Sequence, residues 1–313
     1  MRHSQRQSSA GGKREKSGGE RTLRTGQDRS SGSMDLDALP PEKVAEALIS
    51  SEEKLARLVR KHAGALASAA ALVADSLIKG GRLMYVGSGT AGRIAAIDAV
   101  ECIATYALPP SRIITVMAGG PRALTHPTPL EEDAHEADAR LRTVAPGPRD
   151  VVCVVMLHPT PFAEAALSLA RRRRSHTVLL SACEAPPDLA DIVIAVSSGA
   201  AVLPADGWLS PGTALKLLVS TLSRTTMVLI GKTYGNVILD VAPSLPRMKE
   251  RAIEIVRYFT GLDEHSAATL LARAGGRPKL AIVMHLRRVS RSRAEELVIE
   301  QRGKIRPLLD TRK

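Results

Sequence analysis

The sequence predicts an α/β protein: a doubly wound parallel sheet flanked by helices, followed by a small all-helical C-terminal region. Three observations lead there. Short apolar runs bounded by glycine or proline alternate with helical stretches at the spacing of βαβ units. The runs at 83–86 and, past its opening Asp150, 150–157 are continuously apolar, as strands covered on both faces are. The core must also be aliphatic, since the chain is 44% hydrophobic but only 2% aromatic.

Residues 1–33 are rich in Ser, Gly, Arg and Gln and nearly devoid of apolar residues, so a disordered basic tail is expected. The main domain is read as 34–245 and the helical C-terminal region as 246–313. Helical periodicity covers 41–60 and 64–79. Leu83-Met84-Tyr85-Val86 then reads as a buried strand, followed by a glycine turn, Gly87-Ser88-Gly89-Thr90-Ala91-Gly92. A helix is expected over 93–103, with Ile94, Ile97, Ala99 and Val100 on its inner face. Beyond Pro109-Pro110, a second strand, 113–117, ends at Ala118-Gly119-Gly120. An irregular loop, 121–129, leads to an acidic helix start, Leu130-Glu131-Glu132-Asp133-Ala134.

The run 150–157 is the expected central strand. The turn His158-Pro159-Thr160-Pro161 opens a helix over 162–174. Strands at 177–182 and 192–196 complete the sheet, with the loop 183–188 between them. A loop at 204–212, a long apolar helix at 212–230 and a short extended or turning segment at 235–241 follow. The remainder is helical: 247–260, 264–274, 277–287 and 292–300.

The formal net charge of +12 suggests nucleic acid, but its distribution argues otherwise. Residues 1–34 hold eight basic against three acidic residues, a net of five of those charges in one tail. The run Arg171 to Arg174 falls at a helix end, where positive charge favours the dipole. Exposed rings for base stacking are scarce, so a nucleic-acid module is not expected. Cys102, Cys153 and Cys183 lack metal-ligand spacing and read as buried thiols of a reducing compartment. No apolar run reaches the roughly 18 residues of a membrane span. The basic N-terminus has no apolar segment of a secretory signal, so the cytoplasm is the expected location.

The chemistry should sit at the carboxyl ends of the strands. A strand, a glycine turn and a helix N-terminus make an anion site, because unpaired N–H groups and the positive dipole end face the turn. Glu101, towards the far end of the helix after that turn, and Glu132, in the acidic stretch, are the two carboxylates of interest.

These residues carry a family resemblance. GGRLMYVGSGTAGR, DAVEC, AGG at 118–120, EED at 131–133, PGTALK at 211–216, GKTYGNVILDV at 231–241 and KLAIVM at 279–284 occur in an order similar to that of the N-acetylmuramic acid 6-phosphate etherases. Those belong to the sugar isomerase (SIS) fold group, to which the glucokinase regulatory protein is more distantly related. The resemblance runs from about Met34 to Leu309. It implies a cofactor-free lyase, without metal, that cleaves the lactyl ether of a sugar phosphate by elimination and water addition. It places the family's essential glutamates on Glu101, acid for the leaving lactate and then base for water, and on Glu132, which handles the C2 proton. It implies substrate binding by Ser88, Gly89, Thr90, Gly92, Arg93, Thr160 and Lys216. It also implies a homodimer in which loops of both subunits complete each site.

The sequence departs from the family where phosphate should bind. Ala91 replaces a serine of the first turn, although Ser88 adds a hydroxyl nearby. Leu157-His158-Pro159-Thr160-Pro161 replaces Ser-Gly-Arg-Thr-Pro, losing a hydroxyl and, at Pro159, an N–H. His158 could offer a cation there. The loop before the long helix carries Asp206 instead of basic residues. These changes leave one alternative, a catalytically impaired SIS protein that senses a sugar phosphate and regulates a partner.

Overall fold

A computed structural model describes residues 36–197, 209–241 and 246–310. The expected tail, 1–33, and Asp206 with most of its loop lie outside the described residues. Five parallel strands form the sheet: β1 (Leu83–Gly87), β2 (Ile113–Met117), β3 (Val151–Met156), β4 (His176–Ser181) and β5 (Ile192–Ala195). Their order is β2-β1-β3-β4-β5. The wholly buried β3 is the central strand, paired with β1 on one side and β4 on the other.

The strand period of two divides these residues between two cores. Leu83, Tyr85, Val151, Cys153, Val155, Val178 and Leu180 face one side. They pack there with α1 (Pro41–Arg60), α2 (Ala63–Ile78), α3 (Gly89–Tyr106) and α6 (Ser210–Leu229). Met84, Val86, Val152, Val154, Met156 and Leu179 face the other side, against α4 (Ala134–Val144) and α5 (Pro161–Arg172). This is the doubly wound arrangement that continuously apolar strands require. The amino ends of β1 and β3 are stapled by Asp150, which accepts from the Arg82 backbone N–H at 2.9 Å and from its guanidinium at 2.7 and 3.1 Å. Burial pushes the Asp150 carboxyl up, but these bonds and the Gly147 N–H bring it below the usual range. The staple closes that end and leaves the carboxyl end for chemistry.

Several boundaries differ from the sequence expectation. The glycine stretch is not a wide turn: only Ser88 separates β1 from α3, which begins at Gly89, and Gly89 takes a φ of 50° at the bend. The inner face of α3 is also different. Ala91, Ala95, Ala99 and Cys102 are buried, whereas Ile97 is 54% and Val100 63% exposed. The reason is close approach: α3 packs against both the sheet and α6, and its first turns meet them through small side chains. A Cβ at Gly92 would lie 2.9 Å from the Gly87 carbonyl oxygen and 3.0 Å from Met117 Cγ. Gly92→Ala is therefore expected to destabilise the fold by about 1–3 kcal/mol, read as a lower urea midpoint at unchanged slope.

The acidic stretch does not start an α-helix at Leu130. Pro129–Glu132 is a short 3₁₀ turn, and α4 starts at Ala134 behind Asp133, whose carboxylate accepts from His135 N–H at 2.8 Å. Asp133 is extended, at φ −106° and ψ 108°, which separates the two turns and lets it cap α4. Cys102 and Cys153 are buried as expected, but Cys183 is only half-buried. Arg171 to Arg174 are exposed around the end of α5, with Arg171 bonded to the Asp188 carbonyl and Arg172 to Ser168. No described helix is long and apolar enough to cross a membrane.

After α6 comes a tight hairpin, β6 (Thr233–Tyr234) and β7 (Val237–Ile238), where an extended or turning segment from Gly235 was expected. Helices α7 (Pro246–Thr260), α8 (Glu264–Arg273), α9 (Pro278–Arg287) and α10 (Arg291–Glu300) follow. A last turn, α11 (Arg306–Leu309), has no counterpart among the sequence expectations. They share their own core, from Leu239 to Leu308. Asp240 joins hairpin to bundle, 3.0 Å from Lys232 Nζ and 2.9 Å from Lys279 Nζ. Two motifs of the family resemblance thus meet in one ion triad.

Candidate active site

The carboxyl end of the sheet gathers four segments: the first turn of α3, the loop after β2, the turn after β3 and the start of α6. Ser88 is the N-cap of α3 but its side chain makes no capping bond, so its hydroxyl stays available beside the orphan N–H groups of the first helical turn. The first turn of α6 packs on that of α3, because a Cβ at Gly212 would lie 3.7 Å from Ile94 and 3.9 Å from Thr90. The N-terminus of α6 already has a carboxylate: Glu52 of α1 accepts from the Ser210 hydroxyl. Its second oxygen is buried without a partner among the described residues. That carboxylate offsets the α6 dipole, leaving the N-terminus of α3 as the freer anion site. Lys216 lies one turn further along α6 and is exposed.

Glu101 is exposed on α3, on the same outward stripe as Ile97 and Val100. Glu132 is exposed at the end of its 3₁₀ turn. Just before it, the loop encloses a cavity of about 400 Å³ lined by Gly119, Arg122, His126, Thr128 and Leu130, a volume in the range of small-ligand sites. Glu101 follows Gly89 by twelve residues, about 18 Å along the helix axis.

Other expected ligands are engaged with the protein itself. Thr160 is buried and its hydroxyl oxygen caps α5, accepting from Ala163 N–H at 3.1 Å. His158 is exposed, with Nδ1 3.2 Å from the Pro159 carbonyl oxygen. Ala91, 2% exposed, belongs to the core and not to the rim of the anion site. The Arg93 guanidinium donates to three backbone carbonyls of the loop after β2: Ala123 at 3.1 Å, Leu124 at 3.2 Å and His126 at 3.3 Å.

Sequence reasoning missed Asp98, one turn before Glu101. Its carboxylate is 4% exposed and accepts from the hydroxyls of Tyr85 and Ser223, both at 3.1 Å, and from the Cys102 thiol at 3.7 Å. Burial pushes the Asp98 carboxyl up against the opposing pull of Ser223, Tyr85 and Lys216. Burial likewise drives the Cys102 thiol to about 12, reinforced by the Asp98 charge. The cluster ties α3 to β1 and α6, and so holds the helix that carries Glu101. The available signal was an aspartate inside an otherwise apolar helical run. Asp98→Ala orphans these donors and is expected to cost about 2–4 kcal/mol, whereas Asp98→Asn keeps an acceptor and should cost less than about 1 kcal/mol. Denaturant midpoints of both variants check this.

A doubly wound sheet with a helix N-terminus open at its ligand end, Glu132 exposed on the neighbouring loop and Glu101 towards the far end of α3, is an α/β arrangement suited to binding an anion. No family model matches the chain. A protein of Rubrobacter xylanophilus is 40% identical over 260 residues, covering 82% of this chain and 86% of that one. A protein of Glaesserella parasuis is 35% identical over 281 residues, covering 88% and 92%, and one of Cutibacterium acnes is 32% identical over 92% and 96%. All three are named N-acetylmuramic acid 6-phosphate etherase. The chain belongs to the N-acetylmuramic acid 6-phosphate etherase family. Among solved structures, a phosphoheptose isomerase from Francisella tularensis superposes with a TM-score of 0.45 at 16% identity, over 59% of this chain and 96% of its own. At that score it carries no argument here.

Proposed function

We propose that this protein cleaves the D-lactyl ether of N-acetylmuramic acid 6-phosphate with water, giving N-acetylglucosamine 6-phosphate and D-lactate in peptidoglycan amino-sugar recycling. The observation that carries the proposal is 40% identity to a named etherase over 82% of the chain. No observation favours the regulator.

In this mechanism Ser88, Gly89 and Thr90 receive the phosphate at the N-terminus of α3, whereas Gly92 is buried with its N–H bonded to the Ser88 carbonyl oxygen at 2.9 Å and serves packing. Lys216 adds a cation. The ring opens to an aldehyde, which acidifies the C2 proton and serves as the electron sink, so the chemistry calls for no cofactor. Glu132 removes that proton. The C3–O bond breaks as Glu101 protonates the departing lactyl oxygen, leaving a C2–C3 double bond. The Glu101 carboxylate then takes a proton from water as its oxygen adds to C3, and Glu132 returns a proton to C2. Two carboxyls with divided roles each contribute about 10²–10⁴-fold.

A homodimer is part of the proposal. Glu101 is further from the α3 N-terminus of its own chain than one sugar phosphate extends, and the stripe beside it exposes Ile97 and Val100. A second copy would cover that stripe and bring Glu101 to the neighbouring anion site. The cytoplasm is the proposed location. Turnover in heavy water tests the chemistry: deuterium should appear at C2 of the product sugar, and lactate release without C2 deuterium would refute the elimination.

A further inference from the structure

The loop after β2 has to hold Glu132 at a fixed place relative to the first turn of α3, yet it consists of two 3₁₀ turns and irregular backbone. It starts with two left-handed glycines, Gly119 at φ 76° and Gly120 at φ 62°. Such backbone is held in place by its bonds and not by regular structure. Three side chains supply them. Glu136 of α4 accepts from Gly119 N–H at 3.0 Å and is itself fixed by Arg140 Nε at 2.7 Å. Arg93 of α3 takes the middle, where the 3₁₀ turn Gly120–Leu124 leaves terminal carbonyls without partners. Thr128 packs against Gly119, where a Cβ would come within 2.9 Å of its methyl group, and its hydroxyl oxygen accepts from Leu130 N–H at 3.3 Å. That last bond opens the 3₁₀ turn ending at Glu132.

We propose that Arg93 and Glu136 are positioning residues: together they clamp the Glu132 loop to the helix whose N-terminus anchors the substrate. The proposal rests on Glu132 acting at C2. It reassigns Arg93, whose place in the glycine motif suggested a ligand to phosphate. Arg93 Nε–H is divided between two carbonyls and Nη2 serves a third, a fork geometry that a lysine ammonium cannot reproduce. The clamp joins the anchor to the base within one chain, so its loss moves the base and leaves the anchor intact.

The test compares wild type with Arg93→Ala, Arg93→Lys and Glu136→Gln, all as full chains. Kinetics use N-acetylmuramic acid 6-phosphate. The clamp predicts that kcat falls by about 100-fold in both Arg93 variants, the cost of a base misplaced by about 1 Å, while KM stays within about threefold. Amide hydrogen exchange in the segment 119–132 should accelerate in all three variants and stay unchanged in the helices 246–310. A KM raised more than about tenfold at unchanged kcat in the Arg93 variants would overturn the proposal in favour of direct phosphate binding. Unchanged exchange in 119–132 would overturn it as well. If the wild type released no lactate, the etherase function would fall, and the exchange measurement would still decide the clamp.

Discussion

Glu132→Gln is expected to abolish both hydrogen exchange at C2 and release of D-lactate, whereas Glu101→Gln abolishes release and spares C2 exchange. The two amides preserve size and remove the proton-transfer function, so the contrast separates base from acid. Each loss should reach at least about 10²–10⁴-fold in kcat. The proposed order of events dictates the split: proton abstraction needs only Glu132 and the aldehyde, and C3–O cleavage needs Glu101 as well. Both side chains are exposed in the single chain, so neither substitution orphans a buried partner, and folding should be unaffected. Exchange lost in both variants, or in neither, would contradict the division of roles.

The largest effect on stability is expected at Asp240→Asn. Asp240 sits between the ammonium groups of Lys232 and Lys279, and Lys279 is 5% exposed in the C-terminal core. Removing the carboxylate leaves Lys279 buried and charged without a partner, which costs about 3–5 kcal/mol. Burial pushes the Asp240 carboxyl up, but the two lysines outweigh it and hold it below the usual range. Burial pushes Lys279 down, and Asp240 only partly restores it. The sign for Asp240 follows. A carboxyl with a depressed folded value contributes stability above its unfolded value near pH 4 and loses it as pH falls through the folded one. Urea titrations should therefore show stability falling below about pH 4 in the wild type, with a flatter acid limb in Asp240→Asn. Equal acid limbs in the two proteins would refute this role for the triad.

Much of the fold was legible because the strands are short, apolar and punctuated. Ile113–Met117 stands where its pattern put it, and β3 is central as its unbroken apolar run required. Helix faces were less legible. Ile97 and Val100 look like core residues, yet the buried side of α3 is built mostly from alanine, glycine and cysteine around Asp98, a constraint set by neighbours distant in sequence. The short 3₁₀ turn carrying Glu132 depends on Thr128 at its start and an extended Asp133 at its end, and no periodicity marks it.

Around the candidate site, the glycine motif and the two glutamates are proposals that the sequence itself suggests. What surrounds them was not legible there. Asp98 draws its partners from β1 and α6, and Arg93 draws its acceptors from a loop about thirty residues on. Thr160 reads equally well as ligand or as cap, and only its bond to Ala163 N–H shows the cap.

The central claim is etherase activity on a phosphorylated muramic acid despite the altered turn after β3. The direct measurement is D-lactate released when folded wild-type protein is incubated with N-acetylmuramic acid 6-phosphate. Stoichiometric release of D-lactate and N-acetylglucosamine 6-phosphate is the predicted result. Intact substrate after prolonged incubation with folded, dimeric protein would contradict it.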